Sequence, residues 1–446
     1  MIMEYVLLFL LTLPLVALEA THNRRSRGAA PIDLGFVFAG IVFVYAWLPL
    51  LGLILAQHGY GELQDQRVEN DFPTPTEIVI VGASYLAFLA GFALFYRGRR
   101  RVIPTSLVLV SSNRHQVLIS LAIVCLLITM NFLGERLLGV GGSESYIDSY
   151  TRLRHLPLEV QQIMGGLGQL IFAASLAAMV FVIAWKPSLH RYVALVIFVL
   201  LLDVTLFGGS RTFGFLLAFA YVICISIYVQ KLKSGHLFLI GALGLALFIL
   251  AGAFRANNEL DALMLSPFQD GEFVSIFINS IDLIQRNAED QGLDIPWQLS
   301  WVDLLRFIPQ QFLGVDKIDP ATWYVTNYYS KFSEMGGGLA FGAIAESVVG
   351  FGITEAFIRG GLLGVAYAFV ANRCISDHLT PLKVFIYVWF VVMSYQAIRD
   401  TTFSVFPRFV FSVLPVIFLL SVAYSLMRVV FRRGSIVMSI RLKSGL

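Results

Sequence analysis

Apolar runs of bilayer-crossing length recur from one end of this chain to the other, and they leave it few folds. They lie near 3–19, 34–57, 77–96, 116–134, 163–185, 192–207, 212–230, 236–254, 353–371, 382–398 and 403–427. A hydrocarbon layer about 30 Å thick needs about 20 residues of α-helix, and within it each backbone polar group must find its partner in the same segment. These eleven runs predict an all-α polytopic membrane protein with about 11 transmembrane helices. Composition agrees. The chain is 57% hydrophobic and 14% charged, which excludes an ordinary soluble domain and a disordered chain alike. A net charge of +3, with no basic stripe interleaved with aromatics, gives no reason to expect nucleic acid. Cys125, Cys224 and Cys374 are far apart, with no CxxC pair, so neither a disulfide framework nor a zinc site is indicated. The first run lacks a basic segment before it and is followed by Arg24, Arg25 and Arg27. It reads as a first membrane helix rather than a cleaved signal.

Lys and Arg set the expected orientation. With the N-terminus outside, the inner segments collect Arg24/Arg25/Arg27, Arg97 to Arg101, Lys186/Arg191, Lys231/Lys233, Arg373/Lys383 and the basic tail from Arg428. Acidic residues such as Glu62, Asp65, Glu69 and Asp71 crowd the outer segments. This follows the positive-inside rule and puts the C-terminus inside. Three parts are expected: an N-terminal eight-helix transmembrane part at 1–254, a large external loop with short amphipathic helices at 255–338, and a C-terminal transmembrane part at 339–446. Trp301 to Phe307 reads as a short amphipathic helix lying on the membrane, in a loop rich in aromatics suited to the headgroup layer. The Gly-rich apolar segment Gly336 to Gly350 reads as re-entrant or half-crossing.

On the outer side, arginines stand where apolar runs stop. Arg211 follows Gly208-Gly209-Ser210 and opens a span, where free N–H groups and the helix dipole favour an anion. Its guanidinium adds a fork matched to phosphate oxygens. Arg255 ends one span, Arg399 ends another, Arg408 lies just inside the last, and Arg306 sits in the large loop. An interface anchor that snorkels to headgroups is the plainer reading of each, but an Arg inside a span is a functional candidate by default. Arg359 has Glu355 four residues before it, and a local ion pair accounts for it. Among carboxylates, Glu346 lies in an otherwise apolar segment, where desolvation raises its proton affinity toward that of a useful base. Asp400, in Arg399-Asp400-Thr401-Thr402, reads equally as a helix N-cap or a catalytic group. No HExxH, DxD or Ser-His-Asp order appears, which weighs against metal and nucleotide-sugar chemistry.

Three patches together carry a resemblance: Gly208-Gly209-Ser210-Arg211-Thr212 at the start of a span; Gly336-Gly337-Gly338-Leu339-Ala340-Phe341 with Glu346 and Gly350-Phe351-Gly352 beyond it; and Arg399-Asp400 before the last span. The set resembles the O-antigen polymerase (Wzy) family of oligosaccharide repeat-unit polymerases. That resemblance implies a glycosyltransferase C-like helical fold in the bacterial inner membrane, with N-terminus periplasmic, C-terminus cytoplasmic and the active site facing the periplasm. It implies donor and acceptor repeat units carried on undecaprenyl diphosphate, no cofactor and no metal, and a Wzz-type chain-length regulator as partner beside membrane lipids. Arg211, Arg255, Arg306, Arg399 and Arg408 are then the candidates for the diphosphate. Glu346, Arg211 and Asp400 are the candidate catalytic groups, with Glu346 as base. An O-antigen ligase would transfer the glycan to lipid A core instead. Ligases of that group carry a His in the large loop, and 255–335 has none. A lipid-linked oligosaccharide flippase would also need cations near a diphosphate, but no internal repeat of the kind transporters show is visible.

Overall fold

The computed structural model describes residues 2–26, 32–58, 72–99, 108–138, 158–207, 211–229, 272–289, 293, 295–308, 312–314, 317–330, 339–376 and 378–443. Among these, the fold is helical throughout, with one two-stranded pairing of two-residue strands. The protein is an all-α polytopic membrane protein. Among the described residues, seven helices are long and apolar enough to cross a bilayer: 34–57, 75–99, 114–137, 163–185, 353–374, 381–399 and 405–429. Two shorter apolar helices cover 187–202 and 213–228. The expected span at 236–254 falls outside the described residues. The first run is not one helix. It breaks into α1 (Ile2–Leu10) and α2 (Thr12–Ser26). Pro14 explains the break, since it offers no N–H to the Leu10 carbonyl and its ring crowds that oxygen.

The chain divides into two compact units. The first holds residues 1–108, 230–379 and 390–407. It includes α3 (Leu34–Gln57) and α4 (Pro75–Arg99), separated in sequence from α5 (Glu272–Glu289), the short α6 (Val302–Leu305) and α7 (Pro320–Tyr328), α8 (Ala343–Val349) and α9 (Ile353–Cys374). Its spine is the pairing of α4 with α9. Small residues make that pairing close: a Cβ on Gly360 would stand 2.0 Å from the Phe88 carbonyl oxygen, and one on Gly91 would stand 2.2 Å from that of Phe357. Lipid offers no hydrophobic drive between helices, so close backbone approach and dispersion hold such pairs. Phe38, Phe92 and Tyr367 interlock beside it, with ring centroids 4.6 and 5.1 Å apart around Phe38. Asp33 caps α3 by accepting from Gly35 and Phe36, and takes the Tyr96 hydroxyl at 2.8 Å.

The described residues of 255–338 include a helix with a buried apolar face. In α5, Val274, Ile276, Phe277, Ile278 and Ile281 are buried, and the helix packs on α3, α4 and α8. The segment before Glu346 has no regular structure at 339–342 and then forms the seven-residue α8. At about 1.5 Å per residue α8 is about 10 Å long, too short to cross. Gly342 sits at φ 95, and a Cβ there would lie 2.7 Å from Ile276, so only glycine suits this turn.

The second unit holds residues 109–229, 380–389 and 408–446. Its helix Arg114–Leu137 opens with a capping box between Asn113 and Gln116 and packs along Leu158–Trp185. Leu118, Leu126, Ile128, Met130 and Phe132 of that helix are exposed, as expected of a face turned to lipid. After Val405–Arg408 the last helix passes through a π segment at Phe409–Val413 before Leu414–Lys443. Pro415 leaves the Phe411 carbonyl without its regular donor, which favours the widened turn.

Candidate active site

The first unit contains a cleft of about 830 Å³. Trp301, Leu304, Phe307, Phe351, Ile358 and Leu362 give it apolar walls, and Asp303, Glu355 and Arg359 give it a charged floor. The walls come from α6 and its flanks on one side and α9 on the other. On α6 the pattern is the reverse of a soluble helix. Asp303 is 8% exposed, whereas Trp301 and Leu304 are 56% and 58% exposed. The apolar residues face outward and the carboxylate faces in. Ile358, Leu362 and Phe369 of α9 are likewise exposed, and their four- and seven-residue spacing makes one stripe down the helix.

Arg359 is the cation of this cleft. Its Nε donates to Glu355 at 2.6 Å, and its Nη1 pairs with Glu346 Oε1 at 2.8 Å and with Asp303 Oδ2 at 3.7 Å. Nη2 donates no hydrogen bond to any described residue. Three carboxylates therefore fix the guanidinium through Nε and Nη1. The expected pair with Glu355 forms, but it does not exhaust Arg359 as the sequence suggested. The helical spacing showed the neighbour four residues away and hid the two that arrive from elsewhere in the chain.

Glu346 is buried beneath Arg359 and does not line the cleft. Its Oε2 accepts both the backbone N–H and the hydroxyl of Thr402, each at 3.1 Å. Burial and the nearby Asp303 push its pKa up to about 8, against the pull of Arg359 and Thr402. Asp303 accepts from the Thr401 hydroxyl and, at 3.3 Å, from Phe403 N–H. Burial raises its pKa too, opposed by Thr401, Arg306 and Arg359. Consecutive threonines thus hold the two carboxylates that Arg359 bridges.

Arg306 lies in the same network but is fully engaged at both terminal nitrogens. Nη1 donates to Asp400 Oδ2 and Thr401 Oγ1, each at 2.9 Å, and Nη2 to Asp400 Oδ1 and Asp319, each at 3.2 Å. Burial alone would lower its pKa, but Asp400 and then Asp319 and Asp303 outweigh that, so the net direction is upward and the cation is permanent. Asp400 is therefore a bidentate partner of Arg306. Its N-cap reading gives way, because the next helix opens only at Val405. Asp319 serves twice, capping α7 at Thr322 and steadying Arg306.

Of the residues singled out in the sequence, Arg306, Glu346 and Asp400 come together in this network. Arg399 ends the short helix Gln396–Arg399, next to Asp400 and partly buried. Arg408 belongs to the second unit, as does Arg211, whose backbone opens the helix Arg211–Tyr228. Arg255 lies outside the described residues. Sequence reasoning missed Asp303, Thr401, Thr402 and the wider role of Arg359. One usable signal was Asp303 standing alone in an aromatic, apolar stretch.

The model of the family described as O-antigen polysaccharide polymerase Wzy matches residues 37–281. No curated protein and no solved structure matches. The matched segment covers α3, α4 and most of α5, while the charged residues from Asp303 to Thr402 lie beyond it, so their roles rest on geometry. Matched over more than half its length and folded around apolar helices of membrane-crossing length, the chain belongs to the O-antigen polysaccharide polymerase (Wzy) family.

Proposed function

We propose that this enzyme polymerises oligosaccharide repeat units carried on undecaprenyl diphosphate, at the periplasmic face of the bacterial inner membrane. The growing glycan is the donor, and it moves onto the next lipid-linked unit. The observation that carries this reading is Arg359. It is anchored by Glu346, Glu355 and Asp303, donates no hydrogen bond from Nη2 to a described residue, and lines an apolar-walled cleft. As the glycosidic bond breaks, charge grows on the leaving diphosphate. A preplaced guanidinium in a poorly solvated cleft stabilises that charge without reorganising. The exposed stripe of Ile358, Leu362 and Phe369 suits the lipid portion of such a substrate.

Glu346 then acts through Arg359, as its positioning partner. Asp400 acts through Arg306, which ties α6 to the turn at 400–403. Arg211, Arg255, Arg399 and Arg408 remain candidates for further phosphate oxygens. A periplasmic N-terminus, a cytoplasmic C-terminus and a Wzz-type regulator belong to the same reading.

The test uses the purified full chain in detergent with its lipid-diphosphate-linked repeat unit. Wild-type protein gives a ladder of products, and Arg359→Ala lowers its rate by about 100-fold or more. An undiminished ladder from folded Arg359→Ala would sink the assignment. A flippase would form no new glycosidic bond in this assay, and a ligase would give product only when lipid A core is added, and no ladder.

A further inference from the structure

Two carboxylates reach the cleft wall, and their surroundings give them different tasks. Glu355 is occupied at both oxygens, accepting Phe351 N–H at 2.7 Å and Arg359 Nε at 2.6 Å. It folds so tightly over Gly350 that a Cβ there would lie 1.9 Å from its oxygen. It holds a turn and an arginine.

Asp303 is held differently. Its Oδ1 accepts the Thr401 hydroxyl, which fixes the carboxylate plane. From the described residues, its Oδ2 receives only a 3.3 Å bond from Phe403 N–H and the 3.7 Å ion pair with Arg359. A carboxylate has about four acceptor positions, so Oδ2 keeps capacity for one more proton donor, and Asp303 lines the cleft. The charged groups acting on it are Arg306 on its own segment, Arg359 on α9 and Glu346 on α8, while Glu355 and Asp400 bind those two arginines. Burial moves its proton affinity upward, in the direction a base working near neutrality needs.

We infer that Asp303 is the catalytic base for glycan transfer, receiving the proton of the acceptor sugar hydroxyl; this rests on the polymerase reading above. In the step, the acceptor O–H bond breaks and its proton passes to Asp303 Oδ2. The acceptor oxygen forms a bond to the anomeric carbon of the donor. The bond from that carbon to the diphosphate breaks, and its electron pair leaves on the lipid diphosphate beside Arg359. Asp303 then returns its proton to water entering the cleft.

The experiment uses the full chain in detergent with the lipid-linked repeat unit isolated from the producing bacterium lacking the polymerase. Asp303→Asn is expected to lower kcat by about 100-fold or more, with KM within about threefold of wild type. Because Asp303 is also part of a buried network, Asp303→Ala is assayed with added formate. A small external carboxylate should restore turnover to the folded variant, while chloride at equal ionic strength should not. A merely structural Asp303 would give no rescue. Asp303→Asn with kcat near wild type, or folded Asp303→Ala indifferent to formate, overturns the base assignment. No ladder from wild-type protein overturns the polymerase reading itself, and this inference with it.

Discussion

Two arginine–carboxylate clusters sit in the first unit, and they are built on opposite principles. On α5, Asp282 faces Arg286 at 2.9 Å and also accepts the hydroxyls of Tyr324 at 2.6 Å and Tyr329 at 2.8 Å. Arg286 donates to Tyr329 and lies 4.6 Å over the Tyr328 ring. One cation meets one anion, and tyrosines close the remaining positions. At and beneath the cleft, two guanidinium groups, Arg306 and Arg359, meet five carboxylates: Asp303, Asp319, Glu346, Glu355 and Asp400. Burial first, and then the neighbouring Asp303, push Glu346 up to about 8 against the pull of Arg359 and Thr402. A balanced cluster fastens helices together. An unbalanced one holds groups in protonation states that a reaction can use.

The comparison breaks most sharply at Asp282. Asp282→Ala leaves Arg286 and two tyrosine hydroxyls without their shared acceptor. Removing one partner of a buried pair destabilises by about 3–5 kcal/mol, so the melting temperature of the detergent-solubilised protein should fall by roughly ten degrees or more. Turnover per folded molecule at low temperature should stay within about twofold of wild type. A specific loss of turnover would show that the tyrosine cluster is part of the chemistry and that the division between the two clusters is wrong.

Arg306 sharpens the contrast inside the cleft. It contacts no cleft surface of its own but clasps α6, which carries Asp303 and the Trp301–Phe307 wall, to Asp400 and Thr401. Arg306→Gln should let that wall shift, and small misplacements of catalytic groups cost up to about 100-fold. With Thr401 still holding Asp303, a loss of about tenfold in kcat/KM is expected, measured by the initial rate of ladder formation. An effect as large as that of Arg359→Ala would mean that Arg306 itself meets the diphosphate.

The same contrast explains what the sequence could disclose. Apolar runs announce themselves because lipid is uniform, and a helix must satisfy it over its whole length. The local pair Glu355–Arg359 and the segment Arg399-Asp400-Thr401-Thr402 were visible because their spacing is short. Helix α5 was hidden because Asp282 and Arg286 dilute its apolar run, and their compensation comes from Tyr324 and Tyr329, about forty residues on. Asp303 was hidden for a related reason. In Trp301-Val302-Asp303-Leu304 a soluble-protein reading turns the carboxylate to water, whereas here the apolar neighbours face outward and the acid faces Thr401 and Arg359. Glu346 drew notice for its burial, but only the fold shows that Arg359 stands between it and the cleft.

The smallest predicted effect tests the protonation argument directly. Glu346 binds its proton more tightly in the folded protein, with a pKa of about 8, than in an ordinary solvated glutamate, at 4.5. Between those values the folded state carries a proton that the unfolded chain has released. The unfolded state therefore binds fewer protons, and stability falls as pH rises. The contribution is fully present below about 4.5 and is lost on passing through about 8. Asp303, raised in the same direction, adds to it with the same sign. Glu346→Gln replaces the titrating acid with a neutral group of the same shape, so its contribution should no longer depend on pH. Melting curves from pH 5 to pH 8.5 should show the wild-type protein losing several degrees relative to the variant as pH rises. Tyr329→Phe, in the balanced cluster, should lower both ends of the same curve by a similar small amount, about 1 kcal/mol for one lost hydrogen bond. Parallel curves for wild type and Glu346→Gln would show that Glu346 is already ionised against Arg359, and that the carboxylate excess in the cleft is neutralised by something other than protons.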